Sequence, residues 1–366
     1  MVPDLFFSAD RPVDDRDRPP ACGEAAALAD VLADGRLSGG AAVVAAYEDA
    51  LAEWFGVDFA IAVNSGSSAL HAALAGLGVG DGDEVLVPAT APLPTAMPIL
   101  TTGATPVLVD TLPGALAMDP DAVAGRVSGR TKAAISLSLW GYPADDDGAA
   151  AVLAGVGVPL VEDAAQAHGS TLRGRYVGTR YRVGCFSTHD RAPLATGEGG
   201  FLLTDDAELA ERVHHFVRLG GLRGRYGVNY KLGALPAAVG LRRLAGLADQ
   251  VAARHANAAQ LLAALPDRGR LAELAHPAAV PNHHRLVLTT AAAPAPIARA
   301  LAAAGLPPDS TRPHHGPLHR QPLFAAHRTA RYPHAEALYA ATFQMPVHPS
   351  LPPATLAWIT THLRAL

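Results

Sequence analysis

Lysine is almost missing from this 366-residue chain: Lys132 and Lys231 are the two present, and the remaining basic residues are arginine. Any chemistry that needs a lysine amine therefore has few places to occur. Cysteine is equally scarce. Cys22 and Cys185 lie far apart without CxxC spacing, which argues against a disulfide scaffold or a cysteine zinc site and favours a reducing, cytoplasmic setting. No apolar run approaches membrane-spanning length, and the N-terminus lacks the basic start and apolar core of a signal peptide. A formal net charge of −5 provides no basic field, so neither nucleic acid nor an anionic membrane is expected as a partner.

What is present suits a globular protein. Hydrophobic residues make up 49% and charged residues 17%, enough for a substantial core, and the length exceeds the usual span of one domain. Short β-rich runs alternate with alanine-rich helical segments through the first two-thirds, the pattern of a parallel sheet with helices on its faces. The runs predict strands at Phe59–Val63, Glu84–Val87, Pro106–Val109, Ala133–Leu139, Pro159–Val161 and Gly200–Thr204. Helices are expected at Gly23–Asp34, Ala42–Phe55, Ser67–Gly76, Thr95–Thr102 and Ala207–Leu219. Apolar spacing then suggests one long helix from Gly233 to Leu265, interrupted near its start by Pro236. After Pro266 the chain turns rich in Pro and His, with a strand at Arg285–Thr289, a helix at Pro296–Ala304 and a closing helix from Pro353. We read residues 1–245 as a large domain and 246–366 as a smaller α+β domain.

Three stretches could carry chemistry. Ala62-Val63-Asn64-Ser65-Gly66-Ser67-Ser68 is a strand running through small residues into a helix, where free N–H groups and the helix dipole can receive an anion; an ordinary turn with a serine N-cap reads the same way. Glu162-Asp163 ends a strand at the sheet edge where α/β proteins bind ligands, and a carboxylate there can hold a pyridine nitrogen protonated or merely cap the next turn. Ser187 and the turn Gly197-Glu198-Gly199-Gly200 mark a backbone that approaches something closely.

Taken in this order, with Leu37-Ser38-Gly39-Gly40, Gly141-Tyr142-Pro143-Ala144-Asp145, Asn229-Tyr230-Lys231-Leu232 and His315-Gly316-Pro317-Leu318-His319, the chain resembles the DegT family of pyridoxal phosphate (PLP)-dependent sugar aminotransferases over nearly its whole length. The resemblance implies the aspartate-aminotransferase fold type I, a large α/β domain with a mainly parallel sheet plus a smaller domain. It implies PLP or its amine form, pyridoxamine phosphate, as cofactor. Ser67, Ser68 and Ser187 would face its phosphate, Asp163 its pyridine nitrogen and Gln166 its ring hydroxyl. Asn229 would reach the phosphate of a neighbouring subunit's cofactor, making the active site a property of a homodimer. The substrates implied are an amino-acid donor, such as glutamate or glutamine, and a keto-sugar or cyclitol acceptor, in the setting of aminosugar or antibiotic biosynthesis.

Two positions depart from the pattern. Where the family stacks an aromatic on the cofactor ring this chain offers Pro92. Where it carries the Schiff-base lysine, this chain has Ala192, and a methyl group can neither form that bond nor shuttle a proton. The alanine is compatible with an inactivated lysine-to-alanine variant, with a natural lysine-free enzyme of the sugar-dehydratase kind in which His189 acts as base, or with a non-catalytic partner subunit. His315 and His319 are candidates for substrate contact, as are His283 and His284 beside Arg285, with packing the alternative for each. Arg223, in the cluster with Arg218 and Arg225, would suit a phosphorylated or nucleotide-linked substrate. The late histidines 314, 315, 319 and 327 sit among prolines and glycine without carboxylate or cysteine partners, so no metal site is expected.

Overall fold

The computed structural model describes Asp17 and residues 22–222, 226–265, 271–290 and 316–364. Its centre is a seven-stranded sheet of β1 (Phe59–Val63), β2 (Glu84–Pro88), β3 (Thr105–Val109), β4 (Thr131–Leu137), β5 (Leu160–Asp163), β8 (Val183–Ser187) and β9 (Gly200–Thr204). The spatial order is β1-β9-β8-β5-β4-β2-β3, and β9 alone runs against the others. Helices cover both faces: α1 (Glu24–Asp34), α2 (Ala42–Phe55), α3 (Gly66–Gly76), α4 (Leu93–Thr101), α5 (Pro120–Ala124), α6 (Asp147–Ala154) and α7 (Ala207–Phe216). Because the parallel strands are covered on both sides, β2 and β4 read as nearly continuous apolar runs with little alternation. The antiparallel pair β8–β9 is pinned by Phe186 against Phe201, directly opposite in register and stacked at 4.6 Å, with Phe55 of α2 packed on both rings.

The expected single helix from Gly233 to Leu265 is two, α8 (Ala234–Leu244) and α9 (Leu247–Leu262). The break falls at Ala245–Gly246, not at Pro236. Pro236 sits in the first turn of α8, where a missing N–H costs nothing because no carbonyl precedes it to receive one. Beyond α9, β10 (Leu271–Glu273), β12 (Leu286–Thr290) and β13 (Thr342–Met345) form an antiparallel sheet. Its apolar face packs with α9 and the closing helix Pro353–Arg364 into a cluster built around Leu261, Leu288, Phe343 and Ile359. A ribbon of β6 (Thr171–Leu172), β7 (Arg175–Tyr176) and β11 (Ala279–Val280) ties this later sheet to the first. The expected helix Pro296–Ala304 lies outside the described residues.

Candidate active site

The C-terminal ends of β1, β4, β5 and β8 converge on one cavity of about 400 Å³, at the sheet edge where open α/β proteins bind ligands. Asp163, the last residue of β5, is buried in its wall. The Thr95 hydroxyl donates to Asp163 Oδ2 at 2.5 Å, and the Ala165 N–H donates to Oδ1 at 3.0 Å. Burial pushes the carboxyl pKa above its usual range, and these two hydrogen bonds pull it partly back. No cation pairs with it among the described residues.

The segment after β1 makes the second part. Ser65 caps α3 by accepting the Ser68 N–H, and the first intrahelical bond runs from Ala69 to the Ser65 carbonyl. The N–H groups of Gly66 and Ser67 have no acceptor among the described residues, as expected of a helix start open to an anion. Ser67 lines the cavity, whereas the Ser68 hydroxyl turns back into the cap, donating to Asn64 Oδ1 at 2.6 Å and meeting Ser65 Oγ at 2.8 Å. Of the two serines expected near a phosphate, Ser67 lines the cavity and the Ser68 hydroxyl is held in the turn. Ser187 stands at the same corner because Gly66 has no side chain: a Cβ there would lie 2.6 Å from Ser187 Cβ.

Ala192 lines the cavity on the loop that joins β8 to β9. The loop is closed by Thr188 N–H to Gly199 O (2.9 Å), Thr196 N–H to Thr188 O (2.7 Å) and Ala192 N–H to His189 O (2.7 Å). His189 and Glu198 border the same cavity; the imidazole is 52% exposed, with Nε2 4.0 Å from Glu198 Oε1. Pro92, the residue before α4, and Arg191 complete this side, and no lysine lines the cavity among the described residues. Asn229 is exposed and outside the wall, with its Oδ1 accepting from Lys231 Nζ at 2.6 Å.

The remaining wall is assembled from residues distant in sequence. Trp140 has a left-handed backbone (φ 59°), is buried, and donates its backbone N–H to Gln166 Oε1 at 2.6 Å, which orients the Gln166 amide and leaves its NH₂ to donate elsewhere. Asn282, fully buried, donates from Nδ2 to the carbonyls of Gln166 (3.0 Å) and His168 (2.9 Å) and accepts the His284 N–H on Oδ1 (2.8 Å). Only glycine fits at 141, where φ is 88° and a Cβ would fall 2.0 Å from Asn282 Oδ1. This fastening sets His284 and Arg285 in the cavity wall, Arg285 N–H reaching Trp140 O at 3.3 Å.

His283 is elsewhere, its Nε2 2.7 Å from Glu273 Oε1. His319 is also not in the cavity wall: it is buried, bonded through Nε2 to Glu336 Oε1 at 2.7 Å and packed on the Tyr332 ring. His315, Arg223 and Arg225 lie outside the described residues. Sequence reasoning gave no role to Thr95, Trp140, Asn282 or Arg191, although the motif residues Asp163 and Gln166 each touch one or two of them. Among the described residues no cluster of three or more His, Cys, Asp or Glu could hold a metal ion, and no helix is long and apolar enough to cross a membrane.

Comparison with known proteins gives this geometry a context. The model of the DegT/DnrJ/EryC1/StrS aminotransferase family matches residues 22–364. L-glutamine:2-deoxy-scyllo-inosose aminotransferase of Streptomyces fradiae is 36% identical over 275 residues, 68% of this chain and 64% of that protein, so the chain spans less than two thirds of this relative. UDP-2-acetamido-2-deoxy-3-oxo-D-glucuronate aminotransferase of Pseudomonas aeruginosa is 32% identical over 322 residues, 86% of this chain and 88% of that protein. Among solved structures, DesV of S. venezuelae in complex with a ketimine intermediate superposes with a TM-score of 0.86 at 32% identity, covering 93% of each chain. The fold is that of the fold-type-I PLP aminotransferases, and PLP or its amine form is the cofactor that goes with it. On a match that runs almost from end to end, the chain belongs to the DegT/DnrJ/EryC1/StrS aminotransferase family.

Proposed function

We propose that the cavity holds the cofactor and is built to move an amino group from an amino acid, glutamate or glutamine, to a keto-sugar, nucleotide-linked sugar or cyclitol, with Ala192 standing where the transfer lysine belongs. The observation that carries this reading is Asp163: a buried carboxylate with no cation partner among the described residues, facing the cavity and fixed by Thr95. A protonated pyridine nitrogen supplies the missing positive charge, and the carboxylate in turn keeps that nitrogen protonated. Ser67, Ser187 and the open N–H groups of Gly66 and Ser67 suit the phosphate. The Gln166 amide suits the ring hydroxyl, and Pro92 and Trp140 offer the apolar surface available to the ring.

When bound, the cofactor supplies an electron sink for the pair released at the substrate carbon. The chain's own residues bind and orient it. Moving the proton needs a group at position 192 that a methyl does not provide, so the chain as written binds without transaminating. A lysine-to-alanine replacement in an otherwise complete site fits an inactivated variant. A lysine-free reaction is the second reading, favoured by His189, which lines the same cavity. Exposed Asn229 is suited to reach a second subunit's site, which supports a homodimer with shared active sites. The break at Ala245–Gly246 supports dividing the chain into residues 1–245 and 246–366. The absence of a disulfide between Cys22 and Cys185 goes with a cytoplasmic setting.

The test is an absorbance titration of Ala192→Lys and the parent with PLP, before and after L-glutamate. The expected result is a near-visible band in the lysine protein that glutamate removes, and cofactor binding without that response in the parent. Failure of both proteins to bind PLP would overturn the reading in favour of a non-catalytic partner subunit. Turnover by the parent that His189→Gln abolishes would favour the lysine-free reaction.

A further inference from the structure

The helix Pro333–Ala341, between β12 and β13 in sequence, borrows its N-terminal cap from the central sheet. Its own N-cap residue, Tyr332, makes no side-chain cap bond. Instead Asp110, the residue after β3, accepts the His334 N–H on Oδ2 at 3.1 Å and the Ala335 N–H on Oδ1 at 2.9 Å. One carboxylate thereby satisfies two of the donors that a helix start leaves free, and its charge suits that end of the helix dipole. His334 Nδ1 adds a contact with Thr111 O at 2.9 Å. Tyr339 lies four residues beyond Ala335 and so shares its face of the helix, which means that the borrowed cap also aims Tyr339. Tyr339 does not line the cavity, yet it touches two segments that do. Its hydroxyl donates to Thr90 O at 2.7 Å, and burial pushes the phenol pKa up, which keeps the donor proton in place. Its ring meets the Trp140 indole edge-to-face, with 5.9 Å between centroids and 80° between planes. A second tie from the late chain reaches the same segment, the Leu318 N–H donating to Ala89 O at 2.7 Å.

We propose that Tyr339, aimed by Asp110, is a positioning residue for the cofactor, setting residues 89–95 and Trp140 against each other from behind the cavity wall. This rests on the reading of the cavity as the cofactor's site. Residues 89–95 carry Pro92, which lines the cavity, and Thr95, whose hydroxyl fixes Asp163. Trp140 fixes Gln166 through its backbone N–H. Tyr339 therefore acts at one remove on the group facing the pyridine nitrogen and on the group facing the ring hydroxyl, which come from opposite sides of one contact. A shift of the Thr90 carbonyl or of the indole moves Thr95 or Gln166 out of register, and misplaced groups lose most of what they contribute to binding. By linkage, whatever Tyr339 adds to cofactor affinity the cofactor returns as firmer docking of this helix.

Absorbance titration of the full chain and its variants with PLP is the test. Tyr339→Phe keeps the ring and loses the hydroxyl, and should weaken PLP about fivefold; Tyr339→Leu loses both contacts and should weaken it about tenfold or more. Asp110→Ala should weaken PLP about fivefold as well, and the double variant Asp110→Ala/Tyr339→Phe should lose less than the product of the two, because both act through one helix. Ile359→Val, in the buried cluster of the closing helix, is the control for lost stability alone and should leave PLP affinity unchanged. Amide exchange of residues 89–95 in the cofactor-free protein, followed by mass spectrometry, reads the same positioning without the cofactor and should quicken in Tyr339→Phe. Tyr339→Phe, the milder change, keeps the test open if Tyr339→Leu or Asp110→Ala fails to fold. PLP affinity unchanged in Tyr339→Phe and in whichever further variant folds, an equal fall in Ile359→Val, or unchanged exchange of residues 89–95 would each overturn the proposal. A double variant that loses the full product would overturn the part assigned to Asp110. A parent that binds no PLP, with exchange nonetheless quickened in Tyr339→Phe, removes the reading of the cavity as the cofactor's site and leaves Tyr339 as the residue that positions this segment.

Discussion

Asn282 holds the two halves of the cavity wall together, and Asn282→Ala should show it. Its side chain makes three hydrogen bonds to backbone groups, two donated to the carbonyls of Gln166 and His168 and one accepted from the His284 N–H, with the residue fully buried. Alanine leaves all three groups without this partner. At about 1 kcal/mol for each backbone group left unsatisfied, the cost comes to about 3 kcal/mol. Urea unfolding of the cofactor-free protein should give a lowered midpoint with an unchanged m-value. Because the same bonds place Gln166, affinity for PLP should fall together with stability. Asn257→Ala is the control: on α9 it donates to the carbonyls of Val347 and His348, neither of which lines the cavity, and should lower stability without changing PLP affinity. A loss below about 1 kcal/mol for Asn282→Ala, or full stability loss with PLP affinity intact, would refute the argument that this residue positions the wall.

Gly66→Ala should weaken PLP binding about tenfold or more, because the new Cβ forces the start of α3 away from Ser187, and overpacking of this kind costs about 1–3 kcal/mol; unchanged affinity in an absorbance titration would contradict it. Asp146 is buried, with Ser136 Oγ donating to it at 2.5 Å and Met118 N–H at 2.6 Å, and burial raises its carboxyl from 3.8 to about 6 against the opposing pull of those bonds. The folded state thus keeps a proton that the unfolded state has lost, so stability falls as pH rises from about 4 to about 6. Asp146→Asn should flatten that decline by up to about 3 kcal/mol, measured as urea midpoints across the range, and an unaltered slope would refute the assignment.

Much of the central sheet was legible because its signals are local. The run Glu84–Val87 and the Ser65 cap each act within a few residues, and the strands and helices expected there fall within a residue or two, except that the helix from Ala207 ends at Phe216 instead of Leu219; the helices Pro120–Ala124 and Asp147–Ala154 were not expected. The strand Val183–Ser187 was visible only as a motif, since Val183 is its one β-branched residue and Gly184 follows it, and its place beside β5 comes from pairing across the sheet. Ser68 reads in sequence like its neighbour Ser67; only the geometry of the first helical turn sends one hydroxyl to the cavity and the other to Asn64. His319 reads like any loop histidine beside glycine and proline, and its burial depends on Glu336 and Tyr332 folding back over it.

The sequence by itself determined which chemistry is available: the identity of residue 192 decides whether a lysine amine exists there, and no packing can supply one. It also determined the strand and turn that lead to Ser67 and the strand that ends at Asp163, since those follow from hydrophobic runs and turn residues close along the chain, whereas pairing across the sheet brought Ser187 beside them. Only the tertiary structure decided that Arg191, Trp140 and Arg285 share one wall. Their meeting depends on Asn282 docking the start of β12 onto the segment after β5, a long-range contact whose partners carry no pattern that the local chain could reveal.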